Sequence, residues 1–93
     1  MENKDLARFF TEIADILEIQ ESNPFRIRSF RRTGQIIQDL SFNAADAAIQ
    51  DPQKLKSISG IGDGAIKKMQ EIVETGKCKE HEDLKQQIPS SLL

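Results

Sequence analysis

At 93 residues, 38% of them apolar and none of them Trp or Tyr, the chain is long enough for one small domain and too short for two. A net charge of −2 and a pI near 5.4 exclude a protein that coats nucleic acid through overall basicity. One Cys and one His exclude an internal disulfide and a Cys/His metal cluster, and no segment approaches the roughly 20 apolar residues that cross a bilayer.

No alternation of apolar and polar residues persists, and the glycines and prolines fall at boundaries, so the expected class is all-α, a compact bundle of four to six short helices. Leu6, Phe9, Phe10, Ile13, Ala14 and Leu17 recur at three and four residues and predict a scaffolding helix from about Lys4 to Glu18. Ser22, Asn23 and Pro24 supply a cap and a first-turn proline for a second helix running to about Leu40. Its buried face is expected to hold Phe25, Ser29, Phe30, Thr33, Ile36, Ile37 and Leu40. Arg28, Arg31 and Arg32 lie opposite, and Arg26 near the edge of the buried side.

Charge is unevenly spread. In residues 1–18, Lys4 and Arg8 stand against Glu2, Asp5, Glu12, Asp15 and Glu18, whereas in residues 19–32 four arginines stand against Glu21 alone. A basic patch on an acidic body suits a small, located anionic target. The planar fork of donors on Arg fits two phosphate oxygens at once. The plainer alternative is a solvated helix face paired with the acidic first helix.

A short helix capped near Asn43 is expected within Ser41–Gln50. Asp51 and Pro52 then restart the chain as cap and first-turn residue. From Leu55 to Gly76 two helical patterns are joined through Gly60-Ile61-Gly62, with Ile58 and Ile61 as apolar pins. Both glycines are expected in backbone angles closed to other residues, leaving room for a charged backbone to approach. The following helix, Asp63 to about Thr75, opens with unpaired N–H groups at the positive end of its dipole, a ready anion site. Ile66, Met69, Ile72 and Val73 form its buried stripe, Lys68 sits on the flank, Lys67 and Glu71 point outward, and Gly76 stops it. Cys78 reads as a bystander thiol and His81 as solvent-facing. One last amphipathic stretch runs from Glu80 to Gln87 before Pro89.

The Leu55–Gly76 pattern resembles a helix-hairpin-helix, a module that grips the DNA sugar-phosphate backbone without reading bases. Together with the string Asn23-Pro24-Phe25-Arg26-Ile27-Arg28-Ser29-Phe30-Arg31-Arg32, it resembles the N-terminal domain of family X DNA polymerases, in particular the bacterial and archaeal branch. A better-known relative is the small lyase domain of DNA polymerase beta. The likeness covers nearly the whole chain and implies a single domain cut from a longer DNA-directed DNA polymerase involved in repair. It implies binding to the 5′-phosphate side of gapped DNA, as a monomer in the cytoplasm at the nucleoid, with no membrane and with the parent chain's polymerase domains as partners. Gly60, Gly62, Gly64, Ala65, Lys67, Lys68, Arg26, Arg28 and Arg31 are then the DNA-binding candidates.

Counting six residues past Gly62, the resemblance makes Lys68 the candidate Schiff-base nucleophile of a 5′-deoxyribose phosphate or abasic-site lyase. Gly64 and Phe30 stand where the lyase relative has a lysine and a tyrosine. The resemblance further implies K⁺ or Na⁺ on the main-chain carbonyls of Lys56, Ile58 and Ile61, with no cofactor required for binding. Two other readings stay open beside a pure DNA-binding domain: an active lyase, and a helical protein-interaction domain suited to the acidic net charge.

Overall fold

The computed structural model describes residues 1–88, which form six helices and no strand: α1 (Asn3–Ile19), α2 (Pro24–Asp39), α3 (Ala44–Gln50), α4 (Pro52–Lys56), α5 (Asp63–Thr75) and α6 (Lys79–Gln87). The all-α expectation and the helix count are met. The stop expected at Pro89 lies outside the described residues.

Helix α1 is the centre of the fold. Leu6, Phe10, Ile13, Ala14 and Leu17 are buried as the spacing requires, and Ala7 and Ile16 widen the stripe so that α1 contacts α2, α3 and α6. Phe9, expected inside, is only half-buried. Helix α2 lies against α1 by close backbone approach. A Cβ at Gly34 would stand 2.6 Å from Thr11 Cγ2 and 3.2 Å from the Ala7 carbonyl, so glycine is what lets the two helices meet.

That contact rotates α2 relative to the expected face. Thr33, Gly34 and Ile37 are buried, Ile27, Phe30 and Ile36 half-buried, while Phe25 is 73% exposed and Ser29 is exposed. Helical period alone puts Phe25 on the buried face. It lies in the first turn, beyond the end of the core, where Arg28 stacks over its ring at 5.9 Å. Asn23 caps α2 by accepting the Phe25 N–H at 2.8 Å, as expected.

Asn3 ties the middle of the chain to α1. Its amide donates to the Phe42 carbonyl at 2.9 Å and accepts the Ala44 N–H at 2.8 Å, while Asn43 caps α3 through the Asp46 N–H. Asp51 precedes α4 without capping it by its side chain. Helix α5 buries Ile66, Met69 and Ile72, but Val73 is on the open side. Gly76 ends α5 in the left-handed conformation at φ 78°.

The expectations for His81 and Glu71 are corrected, while Cys78 is the bystander thiol expected. His81 is not solvent-facing: it is 5% exposed, with Nε2 2.9 Å from Glu12 Oε1 and its ring edge-on to Phe9 at 5.2 Å. A histidine amid charged neighbours reads as a surface residue, yet the α6 period points it at α1. Cys78 is fully buried at the start of α6 and belongs to the core. Glu71, expected to point outward, accepts the Lys79 N–H at 2.8 Å and so holds the start of α6.

The hairpin glycines differ from each other. Gly60 has φ 97°, and a Cβ there would collide with Ile36 Cδ1, whereas Gly62 has φ −103° and ψ 175° with nothing within 4 Å of a Cβ. Only Gly60 needs glycine for the fold. We expect Gly60→Ala to cost about 1–3 kcal/mol, from left-handed strain and displacement of Ile36, in urea unfolding. Gly62→Ala should stay within about 0.5 kcal/mol of the parent. Equal destabilisation by the two would contradict this assignment.

Candidate nucleic-acid interface

The hairpin between α4 and α5 is closed by short backbone bonds. The Ile58 N–H donates to the Leu55 carbonyl at 3.0 Å, the Ile61 N–H to the Ile58 carbonyl at 3.1 Å, and the Ile66 N–H to the Gly62 carbonyl at 3.1 Å. Ile61 is buried and Ile58 packs on the core, so both apolar pins act as expected. Helix α2 braces the turn from behind: Ile36 packs against Gly60, and the Thr33 hydroxyl, which donates to the Ser29 carbonyl at 2.9 Å, lies 3.4 Å from the Gly60 carbonyl.

No side chain caps α5 at Gly62, and Gly62, Asp63 and Gly64 are exposed. The first-turn N–H groups at Asp63, Gly64 and Ala65 therefore face outward without a helical partner. Asp63, whose carboxylate at a helix start would repel an anion, leans toward Lys56 at 3.4 Å. Arg32 reaches the same turn, its Nε 3.3 Å from where a Gly60 Cβ would stand. Arg32 is not among the DNA-binding candidates read from the sequence, although its i, i+4 relation to Arg28 puts both on one α2 face.

A second cluster forms where α2, α5 and α6 meet. Arg26, from the first turn of α2, and Lys68, from the second turn of α5, both lie over the Phe30 ring, at 5.8 Å and 5.6 Å. Lys68 is 25% exposed, its stem covered and its amine at the edge, in keeping with its expected flank position. Glu80 of α6 joins the two cations, with Oε1 2.5 Å from Arg26 and Oε2 3.2 Å from Lys68. Next to them a hollow of about 530 Å³ opens between α5 and α6, lined by Lys67, Lys68 and Lys79 and by the carboxylates of Glu71, Glu80 and Asp83. Nothing in the spacing of the sequence singles out Glu80, because its role depends on how α6 docks.

The remaining arginines divide. Arg31 donates to Asp15 at 2.9 Å and to Glu18 at 3.0 Å, and the bonds to Glu18 and then Asp15 push its pKa up from an already high ordinary value. It is the wet-face arginine that pairs with the acidic first helix. Arg28 makes no ion pair among the described residues and stays exposed beside Phe25. Lys67 is exposed on the outer side of α5, and Ala65 is half-buried at the first turn.

Comparison with known proteins bears on the helix-hairpin-helix pattern. The chain is similar to the Bacillus subtilis protein named DNA polymerase/3′-5′ exonuclease PolX, at 28% identity over all 93 residues, aligned with its N-terminal part. The chain spans only 15% of that relative's length. The helix-hairpin-helix domain family matches residues 1–78, from α1 through the hairpin to the buried Cys78, and the chain belongs to that family.

Proposed function

We propose that this domain grips the 5′-phosphate side of gapped DNA, without sequence specificity, as the DNA-binding part of a longer family X repair polymerase. The observation that carries this reading is the convergence of two cations from separate helices, Arg26 and Lys68, over the Phe30 ring, beside a hollow that Lys67 and Lys79 also line. The uncapped α5 start adds backbone donors for a neighbouring phosphate, and the exposed Gly62 lets a sugar-phosphate chain come close. Arg forks and backbone amides read charge and spacing but no base edge. The named activity of the PolX relative supports a polymerase as the parent chain.

The hairpin carbonyls of Lys56, Ile58 and Ile61 would hold K⁺ or Na⁺. Ile58, whose carbonyl accepts the Ile61 N–H, keeps a second lone pair for such an ion. Such a cation would supply positive charge at the hairpin.

The covered Lys68 amine also favours a second reading, a 5′-deoxyribose phosphate lyase. Lys68 would attack the C1′ aldehyde of an abasic sugar and release water to form a Schiff base. Loss of a C2′ proton would then expel the 3′-phosphate group. Because the Lys68 amine is paired with Glu80, release from that carboxylate must precede attack.

Titration of a one-nucleotide-gapped duplex with and without its 5′-phosphate tests the leading reading. We expect several-fold tighter binding to the phosphorylated duplex and a log–log salt slope near −3, from about 0.9 per neutralised phosphate over roughly three contacts. Binding that ignores both salt and the 5′-phosphate would instead favour a protein-interaction domain.

Gly62→Val should keep the unfolding midpoint, because the backbone there is ordinary extended chain with open space, while lowering DNA affinity about tenfold by blocking phosphate approach. Among the arginines, Arg28→Ala should weaken binding more than Arg31→Ala, since Arg31 is already held by Asp15 and Glu18. The reverse order in the same anisotropy assay would place the DNA on the α1 side of α2.

Borohydride trapping on abasic gapped DNA tests the lyase reading. Lys68→Ala should abolish most of the adduct while Lys67→Ala traps normally once bound. Equal trapping by the parent and Lys68→Ala would assign the amine elsewhere, and no adduct with the parent would leave a binding domain alone.

A further inference from the structure

Arg26 and Lys68 stand over one aromatic ring, and two cations so placed repel each other unless an anion lies between them. That anion is Glu80, bonded to both. Glu80 is itself only 29% exposed at its side chain, and it projects from the first turn of α6, which is anchored independently by His81 to Glu12 and by the Lys79 N–H to Glu71. Its carboxylate can therefore leave the two cations by turning about its own side-chain bonds while α6 stays docked. Lys67 and Lys79 line the same hollow and offer positive charge to whatever replaces it, while Glu71, which accepts the Lys79 N–H, and Asp83 line it as well.

Resting on the phosphate-end reading above, we propose that Glu80 is a specificity-determining residue, an internal anion that a terminal phosphate displaces and an internal phosphodiester does not. The difference is one of charge and valence. A diester brings one negative charge and two free oxygens, matching a tethered carboxylate that is already in place and at high effective concentration. A terminal phosphate monoester brings about −1.5 to −2 charges and three strong acceptor oxygens, so it gains contacts that the carboxylate cannot make. Glu80 thus withholds the site from continuous DNA and yields it to a 5′ end.

The test compares the 93-residue chain with Glu80→Gln and with Glu82→Gln, a change of the same charge in the same turn of α6. Each is titrated with a gapped duplex bearing a 5′-phosphate, the same duplex bearing a 5′-hydroxyl, and a continuous duplex. Glu80→Gln should tighten binding to the hydroxyl and continuous duplexes about fivefold, shrink the preference for the 5′-phosphate, and steepen the salt slope on continuous DNA by about one phosphate contact. Glu82→Gln should leave the preference as it is.

Should Glu80→Gln lower the melting temperature, Glu80→Asp serves instead. It keeps the charge but draws the carboxylate back by one methylene, and the preference should shrink in the same direction. A parent preference for the 5′-phosphate that survives the Glu80 substitutions, or grows with them, overturns this inference alone. A parent and variants that all bind the three duplexes equally overturn the phosphate-end reading and the role of Glu80 together.

Discussion

The close approach of α2 to α1 at Gly34 governs where every other functional group lies. With the Thr11 methyl and the Ala7 carbonyl in the place a side chain would fill, α2 can lie only one way against α1. From that position Thr33 and Ile36 meet Gly60 and hold the hairpin, and Phe30 turns its ring toward α5. Shifting α2 outward by a methyl's width would detach the turn from its brace and part Arg26 from Lys68. The core beneath supplies the rigidity: Leu6, Phe10, Ile13, Ile37, Leu55 and Met69 are all fully buried in one cluster.

The charge asymmetry visible along the chain is resolved in space by division of labour. Acidic side chains of α1 neutralise Arg31, while Arg26 is turned to the other side of α2 and Arg28 stays with Phe25. An overall acidic protein can in this way present a local basic surface. The exposed ion pairs contribute little to stability. Their effect is to choose which cations remain available.

Much of this was legible in the sequence because it is local. The first stripe, the Asn23 and Asn43 caps, the hairpin and the Gly76 stop follow from period, capping chemistry and glycine placement, each set by neighbours a few residues away. What was not legible depends on long-range docking. Periodicity put Phe25 and Val73 inside because it cannot see where the core ends, and it left His81 outside because a charged context outweighed one helical phase. The two hairpin glycines look alike in the chain, yet only Gly60 has the left-handed φ, since the fold braces that residue alone. The likeness to polymerase domains selected Lys68, but its neighbour Glu80 comes from a helix whose position no local pattern specifies.

His81 has a kinetic consequence. Its Nδ1 is buried with no hydrogen-bond partner among the described residues, a deficit of about 1–3 kcal/mol set against the few apolar anchors of α6, Leu84 and Ile88 among them. A local opening of α6 would relieve that deficit and expose its amides to solvent while α1, α2 and α5 stay folded. Because Glu80 travels with that helix, each excursion briefly strips Arg26 and Lys68 of their counter-charge. The rate at which α6 breathes thus sets an upper limit on how often the two-cation site is bare by that route.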